Sequence, residues 1–416
     1  MVGSYAGRAH ALPPAPPLVK IRRLAEDFEV TELTAVTPAA TGRFGLYRLT
    51  KRSVGTPEAI DALLRAWNLP RAAVSFGGLK DRHAVTRQHL TIESGPRQDL
   101  ALHGITLEHL GRLDRPFTAQ ELAGNRFRVV LRDMGPEEER AALAAVPEVA
   151  LDGVPNYFDD QRFGSMTLAG EHVAAPWIRA DYERTLQLAF AEPNEHDRGP
   201  DREVKELLRA HWGDFVRLKA ELPRSNLRSI VTFLADRPGD YKGALAITRQ
   251  DMRSLWLAAF QSHLFNRVLH ALVEQETPFP ERVELKQKAG PLLFWKRLAP
   301  EARERLQGLE LPLPSSRVQI PPGPVADLVA RVLEAQGLTL RDINIKHPRG
   351  SFFSKGWRAV VLRPTAFTQE AADDALYPGR RAVTLAFDLP KGAYATIVVK
   401  RLTEVALAAG TGPIPG

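Results

Sequence analysis

The chain has 416 residues, 44% of them hydrophobic, with 56 Lys and Arg against 49 Asp and Glu, a formal net charge of +7. That length suits two domains with packed cores, and the modest positive excess permits a polyanionic partner without demanding one. The absence of cysteine excludes disulfides, thiolate zinc sites and cysteine nucleophiles. No apolar run is long enough to span a bilayer, and no secretory pattern of basic start, apolar core and cleavage site is seen, so a cytoplasmic protein is expected.

Residues 1–17 are rich in Gly, Ala and Pro and are expected to lie loose. A strand is expected from near Leu18 through Val19 and Ile21, past Arg22-Arg23, to Glu26-Asp27-Phe28-Glu29-Val30, and another over Phe44 to Leu49. Thr56-Pro57-Glu58 starts a helix, with a capping hydroxyl and then a proline in the first turn. Ile60, Leu63, Leu64 and Trp67 follow at helical spacing as one buried stripe that Pro70 ends, which makes this helix scaffold and Trp67 core.

The stretch Ser75-Phe76-Gly77-Gly78-Leu79-Lys80-Asp81-Arg82-His83-Ala84-Val85-Thr86-Arg87-Gln88 carries the most chemistry. Two glycines allow a sharp turn. Ala73–Phe76 and the alternating run from Val85 read as strands, with Val85, Arg87 and His89 on one face and Thr86, Gln88 and Leu90 on the other. Asp81 therefore lies on a tight connection at strand ends. Lys80 and Arg82 flank it, an arrangement that favours an ionised carboxylate, and such a group can act as a nucleophile. Charge pattern alone favours a surface turn with a solvated Lys-Asp-Arg cluster over a reactive carboxylate.

Further on, Gly124 to Arg132 alternates, with Asn125, Phe127, Val129 and Leu131 on one face and solvated arginines, Arg126 and Arg128, on the other. Asn125 at the rim of an apolar face suits a turn cap or the polar edge of a bound base. A helix is expected from Pro136 to Ala145. Gly153-Val154-Pro155-Asn156-Tyr157-Phe158-Asp159-Asp160-Gln161-Arg162-Phe163-Gly164 concentrates aromatics, amides and an arginine. From 165 to 360 the pattern is mostly helical, including Ala259–Asn266, where His263 reads as a satisfied helix residue. Pro278 to Pro324 reads as a smaller sheet or extended loops. Val383–Asp388 returns to strand, and Leu389-Pro390-Lys391-Gly392 turns. Beyond it, Tyr394, Ile397, Val398, Arg401, Leu402 and Val405 have helical spacing, while the β-branched run Thr396–Val399 favours a strand.

Gly78–Gln88 closely resembles the active-site motif of the TruD family of tRNA pseudouridine synthases, in which the Asp at the place of Asp81 is the nucleophile. Asn156–Gly164 is similar to a second family motif, with Asp159 where the family usually has Gly. Ala259–Asn266 and Leu389–Thr396 resemble two more. The resemblance runs in family order from Val19 to Leu402.

It implies an α+β fold: a pseudouridine synthase catalytic fold with a central mixed, mainly antiparallel sheet, interrupted by an inserted α/β TRUD domain. Carried over, 1–155 and 362–416 form the catalytic domain and 156–361 the insert. The cleft between them would bind tRNA, its target uridine in the D arm flipped out. The implied reaction turns uridine into pseudouridine at position 13 of tRNA, with no cofactor, no metal, no membrane and no obligatory protein partner. In agreement, the sequence has no Walker loop, dinucleotide fingerprint or metal-ligand spacing.

Within this frame Asp81 attacks the sugar or the base. Phe28 and Phe127 enclose the flipped base, and Asn125 hydrogen-bonds its edge. Tyr394 stands at an aromatic position where the family often has Phe, and its hydroxyl is a candidate for removing the C5 proton. Arg22 pairs with Asp81 or a phosphate, or is an exposed strand-edge charge. Lys80 and Arg82 steady the loop or touch phosphate, and His83 is structural. The competing possibilities are a non-catalytic RNA-binding or chaperone protein of the same fold, the same activity at another RNA site, and a small-molecule enzyme unrelated to RNA.

Overall fold

The structure, a computed structural model, describes residues 19–410. The expected looseness of 1–17 and a strand start at Leu18 fall outside the described residues.

In chain order the elements begin with β1 (Phe28–Thr34), β2 (Phe44–Arg52), α1 (Thr56–Trp67), β3 (Val74–Phe76), β4 (Val85–Glu93), β5 (Leu100–Leu102), β6 (Ile105–Leu113) and β7 (Leu122–Met134). There follow α2 (Pro136–Asp152), β8 (Val154–Pro155), and the short helices Ala174–Trp177, Tyr182–Phe190, Gly199–Ala210, Phe215–Glu221, Asn226–Asp236 and Tyr241–Ile247 (α3 to α8). Then come α9 (Gln250–Glu276), β9 (Arg282–Leu285), β10 (Leu292–Trp295), α10 (Pro300–Leu306), β11 (Glu310–Pro312), α11 (Pro324–Glu334), β12 (Trp357–Ala359) and β13 (Val361–Leu362). After these come β14 (Thr365–Asp373), β15 (Arg381–Pro390), α12 (Ala395–Lys400), a π-helical turn (Arg401–Val405) and α13 (Ala406–Gly410).

Contacts divide the chain into two compact units. One holds the chain up to Leu122, Phe127–Arg140 and Thr368–Ala386; the other holds Ala123–Arg126, Ala141–Phe367 and the chain from Phe387. The expected division at 155/156 and 361/362 is one of insertion along the chain, and contact density divides the chain elsewhere.

The first unit rests on a nine-stranded mixed sheet in the order β14-β15-β7-β1-β4-β2-β6-β5, with β3 also paired to β4. β2 runs antiparallel to β4 and β6, while β1 runs parallel to β4. Helix α1 covers one face. Its Ala59, Ile60 and Leu63 are buried against Tyr47, Leu49, Leu90, Ile92 and Leu107, and Trp67 packs at the edge of this cluster. Each such fully buried aliphatic side chain stabilises by about 1.5–3 kcal/mol.

The helix boundaries differ from the sequence expectation for a local reason. Gly55 is the N-cap, and Asn68 in the left-handed conformation ends the helix ahead of Pro70. Thr56 lies inside the first turn, with its hydroxyl turned into the protein. The expected first strand also starts later. Lys20 makes only an isolated bridge to Arg132, and Ala25–Asp27 forms a 3-10 turn before β1.

The second unit is organised around α9. Trp256, Phe260, Leu264, Phe265, Val268 and Leu269 are all buried on it. The β8–β13 pair sets Pro155 opposite Val361 and Val154 opposite Leu362. Between Pro278 and Pro324 lie the β9–β10 hairpin, α10 and β11 rather than a single sheet. The region after Tyr394 is helical, so the β-branched run Thr396–Val399 yields to tertiary context: Ile397, Val398 and Val399 are buried on α12. Among the described residues no helix is long and apolar enough to cross a membrane.

Candidate active site

Strand pairing dictates where Asp81 falls. β1 and β3 share one edge of β4: β1 pairs with Val85–Arg87, β3 with Leu90–Ile92. The connection from β3 must therefore travel along β4 to its start. Because β1 is parallel to β4, with Glu29 opposite Val85, the residues preceding the two strands lie side by side. Those residues include Arg22 and Phe28 from one segment and Asp81 from the other.

The contacts follow. Arg22 donates from a terminal guanidinium nitrogen to Asp81 Oδ2 at 3.2 Å, and both side chains are partly exposed. The Arg22 guanidinium lies 3.9 Å from the Phe28 ring centroid. Arg22 has φ 61°, a left-handed backbone that costs a non-glycine residue about 1–3 kcal/mol and persists only where the surroundings impose it. Its neighbourhood is anchored by Asp27, which accepts from Leu24 N at 2.8 Å and from Arg132 Nε at 2.8 Å. Of the roles open to Arg22 from sequence, the structure has it paired with Asp81.

The two flanking cations turn elsewhere. Lys80 pairs with Glu32 at 3.1 Å, its side chain 9% exposed and the carboxylate fully buried. Arg82 pairs with Glu58 at 3.2 Å in an exposed position. Arg22, not Lys80 or Arg82, is thus the cation bonded to the Asp81 carboxylate. Lys80 is built into the loop's support and is not available to a phosphate, whereas exposed Arg82 is accessible to one. Glu32 also accepts from His89 N at 2.7 Å. Burial works to raise the Glu32 carboxyl, but the hydrogen bonds from His89 and the charge of Lys80 outweigh it and hold the group below its ordinary value.

The loop backbone is held from beneath. Thr56 Oγ1 accepts from Lys80 N at 3.0 Å and donates to Gln88 Oε1 at 3.0 Å, and Gln88 Nε2 donates to Gly78 O at 3.2 Å. Lys51 Nζ donates to Asp81 O at 2.6 Å and Lys80 O at 3.3 Å. At Gly77 a Cβ would meet the Phe117 ring at 3.3 Å, so this glycine serves close approach as well as turning. Glu32 and Lys51 were not singled out from sequence, and Thr56 and Gln88 were read there only as a helix cap and a strand residue, although for Lys51 a signal existed. Tyr47, Leu49 and Lys51 alternate on one strand face, and all three are fully buried.

Phe28 and Phe127 meet edge to face, with ring centroids 6.0 Å apart. Both are buried, at 2% and 7% exposure. Phe28 backs Arg22 rather than offering a free face. Asn125 is 8% exposed and shares the inward face of β7 with Phe127, Val129 and Leu131, as the alternation predicts. Arg126 makes a two-bond pair with Asp388, and Arg128 reaches Glu29. His83 lies on the loop before β4, and nothing in the structure assigns it chemistry.

In the second unit, the Asn156–Gly164 segment wraps a half-buried arginine. Arg358 donates to Asn156 O at 2.9 Å, Asn156 Oδ1 at 2.6 Å and Gly392 O at 2.8 Å, and it lies 4.2 Å from the Phe158 ring centroid. Burial pushes Arg358 down to about 10. Asn266 on α9 accepts from Phe158 N and donates to Phe158 O. Asp159 has an extended backbone, φ −100°, so no glycine is required there. Its carboxylate takes Lys400 Nζ at 2.5 Å.

Tyr394 caps α12 and meets Phe158 edge to face at 6.1 Å. Burial raises its phenol, against the nearby Arg162 and Arg358 charges that lower it. A phenol held protonated is poorly suited to act as a base near neutral pH, which favours an aromatic role over the proton-removing one. His263 Nδ1 donates to Ala289 O, 2.9 Å away, as expected of a satisfied helix residue.

A mixed sheet interrupted by a long helical segment makes this an α+β fold, with a strand-end carboxylate paired to an arginine, and its relatives are pseudouridine synthases. The family model described as tRNA pseudouridine synthase D (TruD) matches residues 16–402. A "Probable tRNA pseudouridine synthase D 2" of Methanocaldococcus jannaschii is 27% identical over 394 residues, covering 92% of this chain and 91% of its own. A tRNA pseudouridine synthase D of Aquifex aeolicus is 26% identical, covering 92% and 98%. The crystal structure of a Methanosarcina mazei protein described as a tRNA pseudouridine synthase D superimposes with a TM-score of 0.70 at 26% identity, covering 94% of each chain. The chain belongs to the TruD family of tRNA pseudouridine synthases. Its general activity is that of an isomerase making pseudouridine in tRNA.

Proposed function

We propose that this protein isomerises uridine 13 in the D arm of tRNA, with Asp81 as nucleophile on a uridine flipped out of the stack. The observation that carries this reading is the Arg22–Asp81 pair, on a loop whose carbonyls and amides are held by Lys51, Thr56 and Gln88. A nucleophile acts fastest when its direction is fixed before the substrate arrives. The glycosidic C1′–N1 bond breaks, the uracil turns, and C1′ bonds to C5; C5 loses its proton, N1 gains one, and the bond Asp81 has formed to the nucleotide breaks again, so the product is an isomer of the substrate.

In this proposal Phe28 supports Arg22, Phe127 supplies an apolar wall for the base, Asn125 meets its polar edge, and Tyr394 keeps the aromatic role that the family motif gives it. Arg82 meets phosphate. Segment 156–361 is an inserted TRUD domain. The β8–β13 pair supports that reading, because it sets Pro155 beside Val361 and so brings the entry and exit of the segment together. A cytoplasmic location goes with a tRNA substrate.

The test is to map pseudouridine in tRNA before and after treatment with the purified protein. New pseudouridine at position 13 supports the assignment. Modification confined to another position overturns the site, and no modification of any tRNA overturns the activity.

A further inference from the structure

Lys51 lies in the middle of the first unit's sheet. On β2 it stands opposite Thr86 of β4 and opposite Ile105 of β6. Its side chain is fully buried, at 0% exposure. Tyr47 and Leu49 share its strand face and belong to the core. An aliphatic residue would fill such a position without desolvating an ammonium, so a lysine here needs partners that compensate the burial.

The ammonium has them. Two of its donors go to consecutive carbonyls of the loop, Asp81 O at 2.6 Å and Lys80 O at 3.3 Å. Holding two successive carbonyls inward fixes both peptide planes around Asp81. The Cα–Cβ bond of Asp81 then has one direction, toward Arg22, with the carboxylate partly exposed. Thr56 fixes the preceding amide, Lys80 N, from the same side. Arg22 restrains the carboxylate from outside, and Lys51 restrains the backbone from inside.

We propose that Lys51 is a positioning residue of the nucleophile loop, its buried ammonium aiming Asp81 by gripping the carbonyls of Lys80 and Asp81. This rests on Asp81 being the nucleophile. The grip is charge-assisted and weakens when the proton is lost. Burial pushes Lys51 down to about 8; of the charged groups that face it, Asp81 and Glu58 favour the charged form and Lys80 opposes it. Turnover is therefore expected to fall as pH rises through about 8.

The experiment compares wild type, Lys51→Met and Lys51→Arg by single-turnover pseudouridine formation on both sides of that pH. tRNA binding and thermal melting are measured alongside. Lys51→Met is expected to lower the rate about a hundredfold with tRNA affinity within about threefold. Lys51→Arg keeps a donor that does not titrate in this range, so it is expected to recover part of the rate and to lose the alkaline fall. A wild-type rate in Lys51→Met overturns the proposal. So does an alkaline fall that persists unchanged in Lys51→Arg, a result that decides the matter even if Lys51→Met does not fold. Failure of the underlying reading looks different: wild type makes no pseudouridine, or Asp81→Asn still does.

Discussion

Removing Lys80 tests whether the loop is built as the contacts indicate. Glu32 has a fully buried carboxylate with one cation, Lys80 at 3.1 Å, and one backbone donor, His89 N at 2.7 Å. Lys80→Met leaves that charge with the amide and the His89 ring, whose Nδ1 lies 3.7 Å away. Breaking a buried pair from one side costs about 3–5 kcal/mol. The surviving hydrogen bond places this case at the low end, about 3 kcal/mol. Because the chain forms two compact units, a global melt would blur the effect. Amide hydrogen exchange on peptides covering β1 and β4 reads it locally. A loss of about 3 kcal/mol corresponds to exchange faster by about two orders of magnitude.

Replacing both partners, Lys80→Met with Glu32→Leu, should bring exchange back to within about tenfold of wild type, since no orphan charge remains. The sign with pH is also set. Glu32 is depressed below its ordinary 4.5, so its contribution is fully present above that value and is lost as pH falls through the lower folded one. Exchange in Lys80→Met within about threefold of wild type would refute the reasoning.

Arg22→Met should leave the melting temperature nearly unchanged, because a partly exposed single-contact pair contributes about 0–1 kcal/mol. It should still cut single-turnover rate by about ten- to a hundredfold with tRNA binding retained. Tyr394→Phe should keep turnover within a few-fold, measured as release of tritium from uracil C5; a loss beyond about a hundredfold would restore the base role to the hydroxyl. Asp159→Ala should destabilise the second unit by about 2 kcal/mol by denaturant titration, since Lys400, 14% exposed, keeps only Asp160 and Gln287. Burial lowers Lys400, but its acidic partners outweigh that and raise it. The Asp159 contribution is therefore present at neutral pH and lost only as pH rises above the ordinary lysine value of 10.5.

Much of this was legible in the chain because strand alternation is a local property. The β7 pattern separates Asn125, Phe127, Val129 and Leu131 from Arg126 and Arg128 as drawn from sequence, and the Asp81 loop does lie between strands. Where expectation and structure part, long-range contacts decide. Thr56 looks like a helix cap, yet the chain returns Lys80 and Gln88 to its hydroxyl from 24 and 32 residues away. Lys80 and Arg82 look like the cations of Asp81, yet each finds another carboxylate. Arg22, 59 residues distant, takes the role because β1 and β4 run parallel. The β-branched run after Tyr394 is helical because its side chains are buried, a context that propensity does not contain.

The central claim is that the Asp81 carboxylate bonds to the nucleotide. Its most direct test is tritium release from tRNA labelled at uracil C5, with Asp81→Asn compared with wild type under tRNA-saturating enzyme. The account predicts release by wild type and none by Asp81→Asn, with the two proteins binding tRNA equally. Release by Asp81→Asn at a rate near that of wild type would contradict it.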